Sequence, residues 1–246
     1  MKADPKDQQR LLDLQAIDTT LQQLAHRRKV LPELAELDVL GRAIGVLEDE
    51  RVRAEVEVDD LDRDITKLER EVDSVRQRRA KDQQRLDDGR LPARELTALE
   101  HEITSLTRRQ TELEDAELEL MEKRETAQSA LDGVDEKISI AREKRIAAET
   151  RRDEALTEIT REIEWKQQAR RPLAADLPGE LVQLYEKIRE QSGGLGAALV
   201  QHGRCGGCRL ELFGADRNRV KTAPPDEVVR CEECRRIMVR TAESGL

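Results

Sequence analysis

The sequence predicts a mainly α chain, a long antiparallel coiled-coil helical hairpin that ends in a small C-terminal β domain. Three observations lead there. Of 246 residues, 39% are charged, and only Trp165, Tyr185 and Phe213 are aromatic. Ordinary globular cores take much of their buried area from aromatics, so the interior here must be of another kind. Apolar residues recur at heptad spacing over most of the chain. All four cysteines lie between positions 205 and 234.

The heptads are plainest from 40 to 75. Leu40, Ile44, Leu47, Arg51, Ala54, Val58, Leu61, Ile65, Leu68, Val72 and Val75 alternate by four and three, and only Arg51 is not apolar. Such a stripe requires a covering helix. Upstream, Leu14, Ile17, Leu21, Leu24 and Leu31 follow the same spacing until Pro32, where a kink or break is expected. Downstream, LDDGRLPAREL contains Gly89 for a left-handed cap and Pro92 for the next first turn, so the hairpin turns near 87–93. The stripe resumes at Leu99, Ile103, Leu106, Leu113 and Leu120, then Leu131, Val134, Ile138 and Ala141. It weakens at Arg145 and Arg152 and returns in shifted register at Leu156, Ile159 and Ile163. Two arms of roughly 80 residues, about 115–125 Å each at the helical rise, joined by a short loop, must lie antiparallel. The hairpin covers its own stripe, and the weak stretch near 145–160 leaves monomer and dimer both open. Off-stripe charges solvate the outer faces. Arg51, Arg145 and Arg152 snorkel or mark register.

Residues 1–171 are therefore assigned to the hairpin. Residues 172–196 form a connector, with a helix break marked by Pro172 and Pro178 and a short helix to Gln191. Trp165 and Tyr185 are expected to pack where the two parts join. From 197 to 246 the pattern changes to short apolar runs. Ala197–Val200, Arg209–Leu212, Val228–Arg230 and Ile237–Arg240 read as strands.

Cys205 and Cys208 form one C-x2-C pair, and Cys231 and Cys234 form a second. Each pair can supply one edge of a tetrahedron of thiolates at about 2.3 Å from a zinc ion. Gly206 and Gly207 suit a tight first knuckle. The paired spacing favours one structural Zn2+ over disulfides, with iron the lesser chemical alternative. About 50 residues with one Phe cannot bury a sufficient core, so the metal is also needed energetically. Four sulfurs leave no open position, so the site is structural and not hydrolytic. His202, three residues before Cys205, could replace a ligand, but with four cysteines closing the cage it reads as a surface residue or one that supports a ligand from behind.

The hairpin turn LPARELTALEHEI and the two knuckles, GRCGGCRLEL and VVRCEECRRIMV, resemble the bacterial C4-type zinc-ribbon family, over the whole chain. Its members pair an N-terminal coiled-coil hairpin with a C-terminal zinc ribbon, and the four cysteines match its metal positions one by one. Arg235 stands where the family often has Gly, and Val239 where it often has an aromatic. The resemblance implies a non-enzymatic role. A flagellated branch is associated with flagellar biogenesis, through a chaperone-like contact with an alternative sigma factor and a proposed contact with RNA. That role is not carried to this chain, which shows no sign of a flagellated source.

The first functional expectation is an adaptor or chaperone-like scaffold that binds other proteins. The second is RNA or DNA binding by the ribbon through Arg204, Arg209, Arg217, Arg219 and Lys221 near the first knuckle and Arg235, Arg236 and Arg240 near the second. Charge does not favour it. Residues 197–246 hold nine Lys and Arg against seven Asp and Glu, a net +2 that four thiolates and one Zn2+ cancel. The whole chain carries −9, whereas phosphate binding needs a basic footprint. The third is a redox-sensitive chaperone that releases zinc on oxidation. An enzyme is not expected. GGLGAAL lacks the strand and the Lys-Ser/Thr of a phosphate loop, and His26, His101 and His202 are isolated. No run of about 18 apolar residues offers a membrane span. The start, MKADPKDQQRLLDL, lacks the apolar stretch of a signal peptide, so a cytoplasmic protein is expected.

Overall fold

The computed structural model describes all 246 residues. Four long or medium helices, α1 (Pro5–Lys29), α2 (Pro32–Asp87), α3 (Ala93–Ala175) and α4 (Gly179–Gln191), precede β1 (Ala197–Gln201) and β2 (Arg204–Cys205). Then come α5 (Gly214–Thr222), β3 (Val229–Arg230), β4 (Ile237–Val239) and a closing 3-10 turn at Ala242–Ser244. The chain divides into two compact units, Ala35–Glu149 and the combination of Met1–Leu34 with Thr150–Leu246.

Within Ala35–Glu149, α2 and α3 form the antiparallel hairpin. Every stripe residue from Leu40 to Val75 is buried or half-buried. Val58 packs with Ala127 and Leu131, flanked by Ala54 and Leu61. The gaps in the returning stripe are filled by half-buried Gln110, Glu117 and Arg124, long side chains that cover the seam with their methylenes. Arg51 marks register: its Nε donates to Asp135 on the facing helix at 2.8 Å, and Nη1 to Glu55 at 3.0 Å. Pairs further along, Arg142 with Glu48 at 2.7 Å, Arg124 with Asp62 at 3.0 Å and Arg76 with Glu114 at 2.6 Å, keep the same antiparallel register. Gly89 adopts φ +61°, the left-handed cap its position predicts.

In the other unit, α1 ends at Lys29, and Pro32 opens α2 as its first residue, so the predicted interruption is a break. Pro172 does not end α3, contrary to expectation. The helix runs on to Ala175, where Asp176 N still donates to the Pro172 carbonyl at 3.0 Å. Proline removes the bond its own nitrogen would make and crowds the carbonyl four residues back, a cost that the last turn of a long helix absorbs. Pro178 then precedes α4. Leu11 and Leu14 of α1, Leu181, Tyr185 and Ile188 of α4, and Ala197, Ile237 and Val239 of the sheet share one core. The sheet order is β2-β1-β4-β3, with β1 and β4 parallel and both outer pairs antiparallel. The N-terminal residues join it: Ala3 N donates to Asp226 O at 2.8 Å, and Val228 N to Met1 O at 3.1 Å.

Tyr185 is fully buried, as expected, but Trp165 is 61% exposed and packs at no joint. It lies off the stripe carried by Ile159, Ile163 and Arg170, and Lys166 Nζ sits over its ring at 4.7 Å. One local expectation changes, and one helix went unread. Arg209–Leu212 is not a strand, because Arg209 has φ +64° and turns the chain out of extended geometry. The segment Gly214–Thr222 is helical with a single buried side chain, Val220, too sparse an apolar pattern to show a period.

Candidate metal centre

Each knuckle is built the same way. In the first, Cys205 N donates to Leu210 O at 3.0 Å and Arg209 N to Cys205 O at 2.7 Å. In the second, Cys231 N donates to Arg236 O and Arg235 N to Cys231 O, both at 3.0 Å. The residue after each second cysteine, Arg209 or Arg235, takes a left-handed φ, +64° and +60°. Such a φ favours Gly, which has no Cβ to strain. An L side chain there is strained by about 1–2 kcal/mol. Arg235 is exposed, and its side chain supports nothing else. Arg235→Gly is therefore expected to stabilise the zinc-loaded protein by about 0.5–1 kcal/mol after the unfolded chain's added freedom is subtracted. A matched pair of denaturant titrations checks the sign.

The first knuckle also fixes Gly206. Its N–H donates to Leu199 O at 2.9 Å, and a Cβ at this residue would lie 2.6 Å from that same carbonyl oxygen. Gly207 is less constrained, since a Cβ there would first meet the movable Arg236 side chain, at 2.7 Å.

β1, β2 and β4 bring the two knuckles face to face. All four sulfurs lie within 4.8 Å of one another. Cys205 Sγ is 3.8 Å from Cys234 Sγ, and Cys208 Sγ is 3.9 Å from Cys231 Sγ. A tetrahedral ion with Zn–S bonds of about 2.3 Å requires edges of about 3.8 Å. The donor set therefore fits one zinc ion held by four sulfurs. Cys205 and Cys231 are buried and join Val200, Leu212, Val220, Val229 and Met238 in a second small core, which Cys208 and Cys234 flank. Burial pushes the Cys205 thiol up to about 12. At Cys234 burial also pushes upward, but the backbone N–H and side chain of Arg236 outweigh it and hold the thiol at about 7. Metal loading thus displaces protons from the buried thiols. His202 is exposed, outside the cage.

The basic residues named from sequence do not form one patch. Arg240 donates to five backbone carbonyls, those of Val220, Ala223, Pro224, Pro225 and Glu227. Arg236 ties Leu195 O at 2.9 Å and Ser192 O at 2.8 Å to the second knuckle. Arg217 donates to Gly245 O at 2.9 Å. Arg219 pairs with Asp216 and reaches Glu232 at 3.4 Å, and Arg204 reaches Glu211 at 3.5 Å. Only Arg209, Lys221 and Arg235 remain exposed with neither an ion pair nor a side-chain bond to a carbonyl.

Sequence reading missed a buried polar cluster close to the sheet. Asp18, whose side chain is 3% exposed, accepts from Arg170 Nε at 2.6 Å and Tyr185 Oη at 2.7 Å. Arg170 also binds Glu186, which holds Arg189. Gln15 Oε1 accepts from Gly196 N at 2.7 Å and Ala197 N at 3.2 Å, which fixes the start of β1. Polar residues falling beside the apolar stripe of α1 were the available signal.

The sequence profile of a CT398-like coiled coil hairpin domain matches residues 14–193, and that of a C4-type zinc ribbon domain matches 204–238. The uncharacterized protein Rv2229c of Mycobacterium tuberculosis H37Rv is 37% identical over 240 residues, covering 98% of each chain. The uncharacterized protein ML1638 of Mycobacterium leprae is 29% identical over 88% of this chain and 93% of its own. A solved structure from Mycobacterium smegmatis superposes with a TM-score of 0.86 at 36% identity, over 98% of this chain and all of that one (100%). CT398 of Chlamydia trachomatis shares the fold, with a TM-score of 0.67 at 22% identity over 96% of this chain and 98% of its own.

Proposed function

Because the chain belongs to the family that joins a CT398-like coiled coil hairpin domain to a C4-type zinc ribbon domain, we propose that it is a non-enzymatic, cytoplasmic scaffold. On this reading it acts as an adaptor or chaperone-like protein that binds other proteins through the hairpin, the zinc-stapled head, or both. The carrying observation is the closed four-sulfur cage. A zinc ion held by Cys205, Cys208, Cys231 and Cys234 has no position for substrate or water, so its role is to hold the small sheet in shape. No helix is long and apolar enough to cross a membrane.

Nucleic-acid binding is the weaker reading. Five of the eight basic candidates are tied to backbone carbonyls or to acidic side chains. Phe213, 70% exposed, is the only aromatic in the ribbon available for stacking. A mobility-shift assay at low salt that shows no binding closes this reading.

The scaffold reading is tested by crosslinking in the native cell, followed by pull-down with the wild-type chain and Cys231→Ser. Reproducible protein partners of the wild type support it, and those lost with Cys231→Ser are the ones that need the head. A wild-type chain that captures nothing above background overturns it.

A further inference from the structure

The acidic charge of the hairpin is concentrated in one belt. Residues 55–64 hold six Asp and Glu against Arg63 alone, a net −5. Residues 112–125 hold seven against Lys123 and Arg124, another −5. The fold brings these stretches together, with Arg124 Nε on Asp62 at 3.0 Å and Val58 packed on Ala127. Here, along one flank of the seam, lies an open groove of about 580 Å³. It is lined by Leu61, Ala127 and the exposed Ala130, and by Glu57, Glu119 and Glu122 against the single cation Lys123. These three carboxylates are exposed and have no ion-pair partner. Leu118, one turn before Glu122 on the same helix, is 60% exposed.

We infer that this groove docks a basic amphipathic helix of a partner protein. The inference rests on the scaffold reading and gives the chemistry of one partner. Two alanines in the lining let a third helix approach at the 8–10 Å spacing typical of packed helices. Leu61 and the two alanines offer apolar surface for anchors at i, i+3 and i+4. The unpaired carboxylates select Lys or Arg on the flanks of the incoming helix. The same charge argues against the other occupants. A second copy would set this belt against its own sign, and nucleic acid or an anionic lipid surface would be repelled.

The test uses the full-length zinc-loaded chain and fluorescence anisotropy. Three labelled peptides of about five helical turns are compared: an amphipathic Leu/Ala/Lys helix, a scramble of equal composition, and the same helix with Glu for Lys. The amphipathic basic peptide should bind at least about tenfold tighter than the scramble, and the acidic one should not bind. Glu57→Lys/Glu119→Lys/Glu122→Lys should weaken binding about tenfold or more through charge, and Ala130→Trp by a similar factor by filling the groove. Circular dichroism checks that both variants keep the wild-type helical signal. No binding overturns the inference. So does equal binding of peptide and scramble, or binding unaffected by Ala130→Trp, since either means bulk charge attraction without a groove. If native-cell partners are captured equally by the wild type and the triple variant, the groove is not their site while the scaffold reading stands.

Discussion

Removing the zinc ion, by a strong chelator or by Cys231→Ser, is expected to unfold residues 197–246 while the helical signal of residues 35–149 persists. Structural zinc contributes about 10–16 kcal/mol of apparent folding free energy in small zinc-finger peptides, as much as a typical domain's entire stability. The dependence is built into the packing. Cys205 and Cys231 are themselves members of the core that holds Val200, Val220, Val229 and Met238. Without the ion, four thiols would be crowded within 4.8 Å with nothing to hold the knuckles together. The β strands are two to five residues long and cannot hold register alone. Amide hydrogen exchange resolved by segment is the measurement. Fast exchange confined to the head and its N-terminal edge, reversed by zinc, is the expected result. Protection in the chelated head equal to the loaded state would refute the structural role.

Asp18→Ala is expected to be the most damaging substitution away from the zinc site, at about 3–5 kcal/mol, the usual cost of removing one partner from a buried charge pair. Arg170 and Arg189 would be left with Glu186 alone, and the Tyr185 hydroxyl would lose its acceptor. Because Asp18 lies on α1, Arg170 on α3 and Tyr185 on α4, the loss should loosen all three where they meet. Urea unfolding followed by circular dichroism measures it, and a cost under about 1 kcal/mol would mean the cluster is solvated in solution. The same cluster predicts a pH dependence. Burial, and then the hydrogen bond to the Asp18 carboxylate, push the Tyr185 hydroxyl well above its ordinary range. The unfolded tyrosine releases its proton near about pH 10 while the folded one keeps it. The contribution of Tyr185 is thus fully present below about pH 10 and is lost as pH rises beyond that. Tyr185→Phe should lack this alkaline loss, as a comparison of unfolding free energies at neutral and alkaline pH will show.

Heptad spacing exposed the hairpin because a period is a local property: Leu40 through Val75 predict a covered stripe whatever covers it. The same reading stopped where residue types lost their period. Gln110, Glu117 and Arg124 occupy the seam although nothing in their identity says so. Trp165 reads as a packing residue because it is aromatic, yet its position on α3 turns it outward. Arg240 and Arg236 read as free cations in a basic run, and only the converging loops turn them into clamps on carbonyl oxygens.

The residues alone determined the two-armed helix, its turn at Gly89, and the four sulfur donors, because each depends on spacing along one or two short segments. The tertiary structure decided which charges are structural and which are free. Asp18, Arg170, Tyr185 and Glu186 are distant in sequence, and their burial exists only once three helices converge. The acidic groove likewise arises only when residues 55–64 meet 112–125. Burial and charge pairing are properties of assembled surfaces, and a linear pattern does not carry them.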